Sequence, residues 1–317
     1  MPSSGWLRRL LLAITASLPL LASGGCTITP LTSPAPLTSA TQDASALPPY
    51  TFQRLSRQTY TPADWPEPLG ADIYLPDTPG QTRRPAALVV HGGGWQNRTP
   101  QDMRGIAERL ASEGFVVANV QYRFAPAYPF PAQLHDLQQA MAWLHRKADE
   151  EGWRIDSDRI VGVGYSSGAH LVSLLALKGA EGSLSQPYGG EHARLAAVLA
   201  GGTPSDLFKF DDGRLVVEFL GGKRAEVPEQ YELASPARHI SPDAPPFFLF
   251  HGTWDRLVPI DHATDFHALL QQAGIESELY RQPLRGHITS FLTSGRAIGA
   301  GIDFLRRQGL TPALPSG

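Results

Sequence analysis

The alternation of apolar runs with helix-periodic segments is the feature that most constrains the fold of this chain. The runs at 86–91, 115–121 and 246–251 are apolar on both faces, as strands inside a parallel sheet must be. Further strands are predicted at 159–165, 194–200 and 276–281, and two earlier ones, which can pair antiparallel, near 51–59 and at 71–75. Helices are predicted at 101–113, 131–149, 167–178, 261–273 and 289–307.

Strands separated by helices define the α/β class, with a mostly parallel central sheet that carries helices on both faces. A less regular segment, 202–243, follows the strand at 194–200 and is predicted to be a small insertion over the edge of the sheet. In such sheets the active site lies at the carboxyl ends of the strands. The chemistry-bearing residues are therefore sought in the loops that follow the strands.

Composition excludes several classes of protein. Hydrophobic residues make up 42% of the 317 residues, which excludes general disorder, and the net charge of -3 argues against a nucleic-acid binder. Cys26 is the single cysteine, so an intrachain disulfide framework and a cysteine-cluster metal site are both excluded. No histidine pair has metal-ligand spacing beside a carboxylate cluster, so neither a metal nor a cofactor is expected.

The N-terminus has the pattern of an export signal. Arg8 and Arg9 precede a short apolar run from Leu10 to Leu21, and small residues lead up to Cys26. The segment resembles a bacterial lipoprotein signal, in which the cysteine is lipidated and becomes the new N-terminus. Ser23 departs from that pattern, because the position usually holds a larger aliphatic residue. An ordinary signal with an incidental cysteine is the alternative.

These observations predict three regions: a signal at 1–26, a tether at 27–50 and a folded domain at 51–317. The tether is rich in Thr, Ser, Pro and Ala and nearly uncharged, a composition that does not bury a core. We expect export across the inner membrane and lipid anchoring in the cell envelope through Cys26. If the source is Gram-negative, the outer membrane is expected, because Thr27 is not the Asp that commonly retains lipoproteins at the inner membrane.

The run Gly164-Tyr165-Ser166-Ser167-Gly168 lies between a predicted strand and a predicted helix. This is the context in which G-x-S-x-G forms a tight turn that exposes a nucleophilic serine. Ser166 is the predicted nucleophile. Ser167, the rival, occupies the helix-entry position and is predicted to contribute its backbone N–H to an oxyanion hole.

The run His91-Gly92-Gly93-Gly94-Trp95 follows another buried strand. Three glycines let the backbone approach a ligand, and Gly93 and Gly94 are predicted to be the other oxyanion donors. A phosphate loop is disfavoured because the G-x-x-x-x-G-K-[ST] pattern is missing. His91 is predicted to fix the loop rather than to catalyse.

Asp255 and His287 complete the predicted catalytic set, since each follows a strand by a short loop. In the roles assigned here, His287 takes the proton of Ser166 and Asp255 orients the imidazole. Asp206 and Asp261 are the rival acids. The remaining histidines are assigned structural or surface positions: His170 in the nucleophile helix, His251 in its loop, and His262 and His267 on a helix expected to be exposed.

Five motifs together resemble a known family. They are HGGGW at 91–95, YRFAPAYPFPAQLHD at 122–136, GYSSGAHL at 164–171, HGTWDRLVP at 251–259 and GH at 286–287. Over about residues 70–307 the chain resembles α/β-hydrolase carboxylesterases of the feruloyl-esterase-like and hormone-sensitive-lipase-like groups. The resemblance implies the α/β-hydrolase fold, a triad of Ser166, Asp255 and His287, and oxyanion donors at Gly93, Gly94 and Ser167.

The resemblance also implies that Arg123 and Asp136 pair beneath the site. Two residues depart from the lipase-like pattern, which usually has Asp at the place of Tyr165 and Ala at that of Ser167. The GAHL ending at 168–171 is closer to arylformamidases. The substrate is therefore left open between esters and aryl amides.

These patterns predict a serine hydrolase that cleaves carboxylic esters of small molecules or glycans. The charged insertion at 202–243 is unsuited to a continuous apolar lid, so a small acyl pocket is expected, with Trp95 and Tyr165 near its rim. An arylformamidase-like amide hydrolase is the first alternative. A catalytically silent hydrolase fold that acts as a surface-binding module is the second. The oligomeric state is not indicated by the sequence.

Overall fold

A computed structural model of the chain describes residues 50–77, 82–150 and 152–312. The predicted signal, Cys26 and the tether up to residue 49 lie outside the described residues. None of the described helices is both long and apolar enough to span a membrane.

The described residues form an eight-stranded sheet with the order β1-β2-β4-β3-β5-β6-β7-β8. The second strand pairs antiparallel with both of its neighbours, and all other pairs are parallel. All eight predicted strands are present. Their bounds are β1 (Phe52–Thr59), β2 (Gly70–Pro76), β3 (Arg84–Val90), β4 (Val116–Val120), β5 (Ile155–Tyr165), β6 (Ala197–Gly201), β7 (Phe247–Gly252) and β8 (Ser277–Gln282).

All five predicted helical segments contain helix, and two further helices lie in the predicted insertion. They are α1 (Arg104–Ser112), α2 (Ala132–Lys147), α3 (Ser167–Lys178), α4 (Arg214–Leu220), α5 (Pro228–Leu233), α6 (Asp261–Gln272), α7 (His287–Leu292) and α8 (Gly295–Arg307). The single helix predicted at 289–307 is wrong, because α7 and α8 are separate. Thr293 Oγ1 donates to the carbonyl of Thr289 at 2.6 Å, and such side-chain bonds compete with a continuous helix.

Both faces of the sheet are buried, which explains the strands without polar alternation. In β7, Phe247 and Leu249 pack into the core cluster that includes α2, α3 and α6. Phe248 and Phe250 point to the opposite cluster, which includes α1 and α8. Successive side chains of a strand alternate between faces, so a run that is apolar at every position matches a strand covered on both sides.

The predicted insertion after β6 is present and contains α4 and α5. It is not a loose loop, because Phe219 and Tyr231 are fully buried against the main core. The insertion therefore forms a fixed wall at the carboxyl edge of the sheet.

Candidate active site

The turn between β5 and α3 holds Ser166 in a strained conformation with φ 55° and ψ -124°. Its two glycines are required by space. A Cβ on Gly164 would lie 2.5 Å from the carbonyl of Gly168, and a Cβ on Gly168 would lie 2.1 Å from the carbonyl oxygen of Val90. The Ser166 N–H donates to the carbonyl of Gly201 at 2.8 Å, which ties the turn to β6. The Ser166 hydroxyl is thereby fixed at the end of the sheet.

The structure brings Ser166, His287 and Asp255 together in one hydrogen-bonded chain. His287 Nε2 lies 2.9 Å from Ser166 Oγ, and His287 Nδ1 lies 2.6 Å from Asp255 Oδ2. Asp255 follows β7 and His287 opens α7, so all three residues lie at the carboxyl end of the sheet. This geometry suits transfer of a proton from the serine hydroxyl to the imidazole.

Asp255 is held as a carboxylate by its surroundings. Burial by itself would raise the pKa of this carboxyl, but hydrogen bonds from His251 and His287 outweigh burial and hold the pKa below its ordinary value. The second oxygen, Oδ1, accepts from the N–H groups of Leu257 at 3.0 Å and Val258 at 2.9 Å. An ionised carboxylate can only accept, so the imidazole proton lies on Nδ1 and Nε2 is left to accept from Ser166.

Gly93 and Gly94 lie in the loop beside the nucleophile turn, and Ser167 follows Ser166 directly. The glycine loop lies against the nucleophile turn, since a Cβ on Gly92 would lie 3.0 Å from the carbonyl oxygen of Tyr165. Gly93 and Gly94 have φ values of 119° and 61°, which glycine adopts readily. Within the described residues, the three amides donate to no other protein group, so they are free to stabilise an oxyanion.

The Ser167 side chain faces away from the reacting position. It is 1% exposed, and its Oγ lies 3.3 Å from the hydroxyl of Tyr122, which donates to the carbonyl of His91 at 3.1 Å. The Ser167 hydroxyl is thereby linked through Tyr122 to the carbonyl of His91 at the start of the glycine loop. In the described part of the chain, Ser166 and not Ser167 is hydrogen-bonded to His287.

Trp95 does not lie at the rim of a pocket, as the sequence suggested. Its ring is 3% exposed and stacks on Phe219 of the insertion at a centroid distance of 4.4 Å. The indole N–H donates to His170 Nδ1 at 3.2 Å. A large apolar ring gains more by burial beneath α4 than it would at an open rim. Trp95 therefore anchors the insertion.

Tyr165 is also buried rather than at the rim. It is 4% exposed, its hydroxyl donates to the carbonyl of His287 at 2.6 Å, and its ring packs 5.2 Å from the His287 ring. Phe291 packs on the other part of the same ring at 4.8 Å. Tyr165 is therefore a support for His287, a role that its place in G-x-S-x-G did not reveal.

Sequence reasoning missed the part that α4 plays. Leu215 lies within 3.1 Å of the position that a Cβ on Gly94 would take, which places its side chain over the glycine loop. Gln96 Nε2 donates to Glu218 Oε2 at 2.6 Å. Together with the Phe219 stack, these contacts fasten α4 to the oxyanion loop. No spacing or motif in the chain points to this contact, because its two sides are more than a hundred residues apart in sequence.

The predicted pair of Arg123 and Asp136 is confirmed. Arg123 Nε donates to Asp136 Oδ1 at 2.8 Å, the Arg123 backbone N–H donates to Oδ2 at 2.8 Å, and both residues are buried. Trp65 Nε1 adds a third donor at 2.8 Å. The pair fixes the long loop between β4 and α2 beneath the site.

His91 and His170 are buried structural residues, and His262 is placed differently from expectation. Burial lowers the pKa of His91 and of His170 to about 4, so both are neutral at physiological pH. His91 Nδ1 lies 2.7 Å from the carbonyl of Gly92 in the loop. His262 was expected on an exposed face but is 1% exposed, because the insertion residue Phe210 stacks on it at 4.7 Å.

The rival acids are occupied elsewhere. Asp206 caps a short helix by accepting from the N–H of Phe208 and pairs with Arg238, while Asp261 pairs with Lys209. In the part of the chain that the structure describes, no group of three or more His, Cys, Asp or Glu side chains has the geometry of a metal site.

The sheet order, the strained serine between strand and helix, and the acid and histidine on the following strand ends define an α/β-hydrolase. The model of the BD-FAE family matches residues 71–270. The chain belongs to the BD-FAE family, and the expected α/β-hydrolase fold is confirmed.

Curated relatives and solved structures agree with this assignment. "Probable carboxylic ester hydrolase LipM" of Mycobacterium tuberculosis is 31% identical over 242 residues, which cover 71% of this chain and 54% of LipM. "Esterase LipQ" of the same organism is 28% identical, with coverage of 68% and 53%. The chain thus spans about half the length of these relatives.

Two solved structures share the fold. A truncated carbohydrate esterase from gut microbiota superposes with a TM-score of 0.70 at 22% identity, covering 83% of this chain and 98% of that one. A thermophilic esterase of Thermogutta terrifontis has a TM-score of 0.68 at 23% identity, with coverage of 85% and 96%.

Proposed function

We propose that the protein is a serine esterase that cleaves carboxylic esters through an acyl-enzyme. The observation that carries the proposal is the hydrogen-bonded chain Ser166–His287–Asp255, next to a glycine loop whose Gly93 and Gly94 amides donate to no group among the described residues. Relatives named as carboxylic ester hydrolases support the reaction class.

The proposed reaction begins with attack of Ser166 Oγ on the ester carbonyl carbon, while His287 Nε2 takes the hydroxyl proton. The carbonyl oxygen becomes an oxyanion and accepts hydrogen bonds from the amides of Gly93, Gly94 and Ser167. Collapse of this intermediate breaks the bond to the alkoxy oxygen, and His287 gives its proton to the departing alcohol. Water then attacks the acyl-enzyme by the same steps, which releases the acid and restores Ser166.

The matched pair Ser166→Ala and Ser167→Ala tests the nucleophile. The first substitution removes the attacking oxygen and is expected to abolish turnover of p-nitrophenyl acetate and labelling by a fluorophosphonate probe. The second keeps the backbone N–H and loses only a weak hydrogen bond of about 1 kcal/mol, so activity is expected to stay within about fivefold of the wild type. Loss of labelling in Ser167→Ala with retention in Ser166→Ala would reverse the assignment. A wild-type protein that is never labelled would support the silent-fold alternative.

Short acyl groups are the proposed preference. Leu215 and the anchored α4 stand directly over the glycine loop, which limits the length of an acyl chain on that side. The T. terrifontis esterase, which has the same fold, was solved with propionate and with butyrate bound. A methylene that finds no pocket gains none of the roughly 0.8 kcal/mol that burial provides.

A series of p-nitrophenyl esters tests this preference, with kcat/KM expected to peak between acetate and butyrate. Leu215→Ala is expected to shift the peak to longer chains, whereas Leu269→Ala, at an exposed leucine on α6, serves as the control. A rise of the wild-type kcat/KM through octanoate to palmitate would contradict the proposal. Aryl formamides in the same series test the amide alternative, which requires kcat/KM on the amide to exceed that on the matched ester.

The location proposed for the protein is the bacterial cell envelope, with a lipid anchor on Cys26. The support is the sequence pattern before this cysteine, which lies outside the described residues. Cells expressing the wild type are expected to yield the protein in the membrane fraction, and Cys26→Ser is expected to release it or leave the signal uncleaved. A wild type found wholly in the soluble fraction would exclude lipidation.

A further inference from the structure

Exposed apolar side chains are concentrated beside the active site. Eight large hydrophobic side chains are exposed among the described residues, and five of them are more than half exposed. The three others, Tyr188, Leu215 and Leu269, are at most 39% exposed. The five, which we call the apolar rim, are Trp254, Leu257, Leu284, Ile288 and Leu292.

The rim is one surface, because the two segments that carry it lie side by side. The Trp254 N–H donates to the carbonyl of Arg285 at 2.9 Å, and the Leu284 N–H donates to Thr253 Oγ1 at 2.9 Å. Ile288 and Leu292 are four residues apart on α7 and therefore share a helix face. The same segments hold Asp255 and His287, so the rim borders the mouth of the site.

Leu284 is energetically unfavourable at its position in the fold, both in its exposure and in its backbone conformation. Its side chain is 66% exposed and its φ is 58°, in the left-handed region that favours glycine and asparagine. That backbone conformation costs a bulky residue about 1 kcal/mol or more. Neither packing nor backbone preference accounts for a leucine at this position, which points to a partner outside the chain.

Arg256 and Arg285 are exposed sequence neighbours of the rim leucines, and two more exposed arginines, Arg281 and Arg296, stand at the ends of the second segment. Within the described residues none of them has a carboxylate partner, whereas Arg306 and Arg307 on α8 are both paired. The one acidic residue in 253–257 and 281–296 is Asp255, which is buried in the site. The two segments are thus cationic on a chain whose net charge is -3, and Asp102, which lines a hollow together with Leu292, is itself paired with Arg98.

We propose that the apolar rim and its arginines dock the mouth of the site onto an anionic lipid surface. Exposed Trp, Leu and Ile beside basic residues is the composition of surfaces that bind at the membrane interface. An acidic polysaccharide would match the arginines and leave the apolar side chains unused. In a two-fold dimer formed through this surface, the arginines of one copy would face those of the other, and like charges repel. Residues 1–49 contain a single acidic residue, Asp43, and offer no matching charge.

Co-sedimentation with vesicles tests the proposal on the full chain. All forms carry Cys26→Ser, so a lipid anchor contributes to none of them, and each keeps the same leader. Vesicles of phosphatidylcholine alone are compared with vesicles that also contain phosphatidylglycerol. The rim variants are Leu284→Asn, which suits the positive φ, and Arg285→Gln. The matched controls are Leu269→Asn on α6 and Arg146→Gln on α2, both exposed and away from the rim.

The wild type is expected to bind anionic vesicles more tightly than neutral ones. Arg285→Gln is expected to weaken anionic binding about fivefold, the equivalent of about 1 kcal/mol per basic residue near the surface. Leu284→Asn is expected to weaken it about tenfold, from the loss of a buried leucine side chain. The controls are expected to bind as the wild type does, and all forms are expected to retain kcat/KM on soluble p-nitrophenyl acetate.

Each of the other outcomes overturns the proposal. Equal binding to both kinds of vesicle would show that the arginines do not attract the lipid. If rim and control variants changed vesicle binding equally, the binding would belong to the leader and not to the rim. Retention on polygalacturonate without vesicle binding would assign the surface to an acidic polysaccharide. A parallel fall in kcat/KM on the soluble ester would make the rim part of the substrate pocket. Vesicle binding is measured without turnover, so its result is independent of the proposed esterase activity.

Discussion

The substitution Asp255→Asn tests the proposed orienting role of Asp255 and leaves every other residue of the site unchanged. Asp255 Oδ1 accepts from two backbone N–H groups, so the amide oxygen of an asparagine must take the Oδ1 position. The amide nitrogen then takes the Oδ2 position, 2.6 Å from His287 Nδ1. Because this nitrogen can only donate, His287 must accept at Nδ1 and carry its proton on Nε2. The imidazole would then point a proton at Ser166 and be unable to take one.

The expected decrease in kcat follows because His287 can no longer act as a base while the fold is kept. The same change of tautomer in a serine protease lowers kcat about 10⁴-fold, which corresponds to about 5.5 kcal/mol of transition-state stabilisation. We expect a decrease of that order for Asp255→Asn. The residual rate depends on the oxyanion donors, which the substitution does not touch.

The assay is the steady-state kcat of p-nitrophenyl acetate hydrolysis, with the melting temperature measured on the same samples. Asp206→Asn is the matched control, since Asp206 is the rival acid and caps a short helix away from His287. It is expected to keep kcat near the wild-type value. A wild-type kcat in Asp255→Asn, or a collapse of kcat in Asp206→Asn with the fold intact, would refute the assignment of the acid.

Three further predictions concern stability and the oxyanion loop. Asp136→Asn leaves the buried Arg123 without its carboxylate, so urea denaturation is expected to show a loss of about 3–5 kcal/mol. His91 and His170 have pKa values of about 4 in the folded chain, below the ordinary value of about 6.5 that applies when it is unfolded. The unfolded chain therefore binds more protons between these values, and the melting temperature is expected to fall as the pH drops through that window and to level off above it. Gly93→Ala is expected to lower kcat on p-nitrophenyl acetate at least 10²-fold, because its Cβ would lie 2.1 Å from a loop carbonyl oxygen and displace an oxyanion donor. A wild-type kcat in this variant would show that the loop does not bear on the reaction.

Local chemistry explains what the sequence could predict. The turn at Ser166 needs glycines at both flanks, and the strands need apolar residues on both faces. Each requirement therefore appears as a pattern among residues that are adjacent in sequence. The Arg123–Asp136 pair was predictable for a different reason, since it came with the resemblance rather than from spacing. The fold, the meeting of Ser166, His287 and Asp255 at one end of the sheet, and this pair could therefore be predicted from the sequence.

The features that escaped prediction depend on contacts between distant segments. Trp95 and His262 are buried because the insertion supplies Phe219 and Phe210 as ring partners. Tyr165 turns inward to hold the carbonyl of His287. Hydropathy and periodicity depend on residues that are adjacent in sequence. Each of these contacts joins residues that are far apart in sequence, so neither pattern could predict it.

The stack of Trp95 on Phe219 bears on how this scaffold can be diversified. The segment proposed to shape the acyl side also contacts the loop proposed to carry the oxyanion donors, so both proposed roles depend on one set of contacts. A chimera that exchanges residues 202–243 for the corresponding segment of a relative would change the rate on every substrate unless the graft restored a ring beneath Trp95. Libraries that vary Leu215 while Phe219 stays fixed avoid this coupling, because they change the side chain over the glycine loop and keep the Trp95–Phe219 stack.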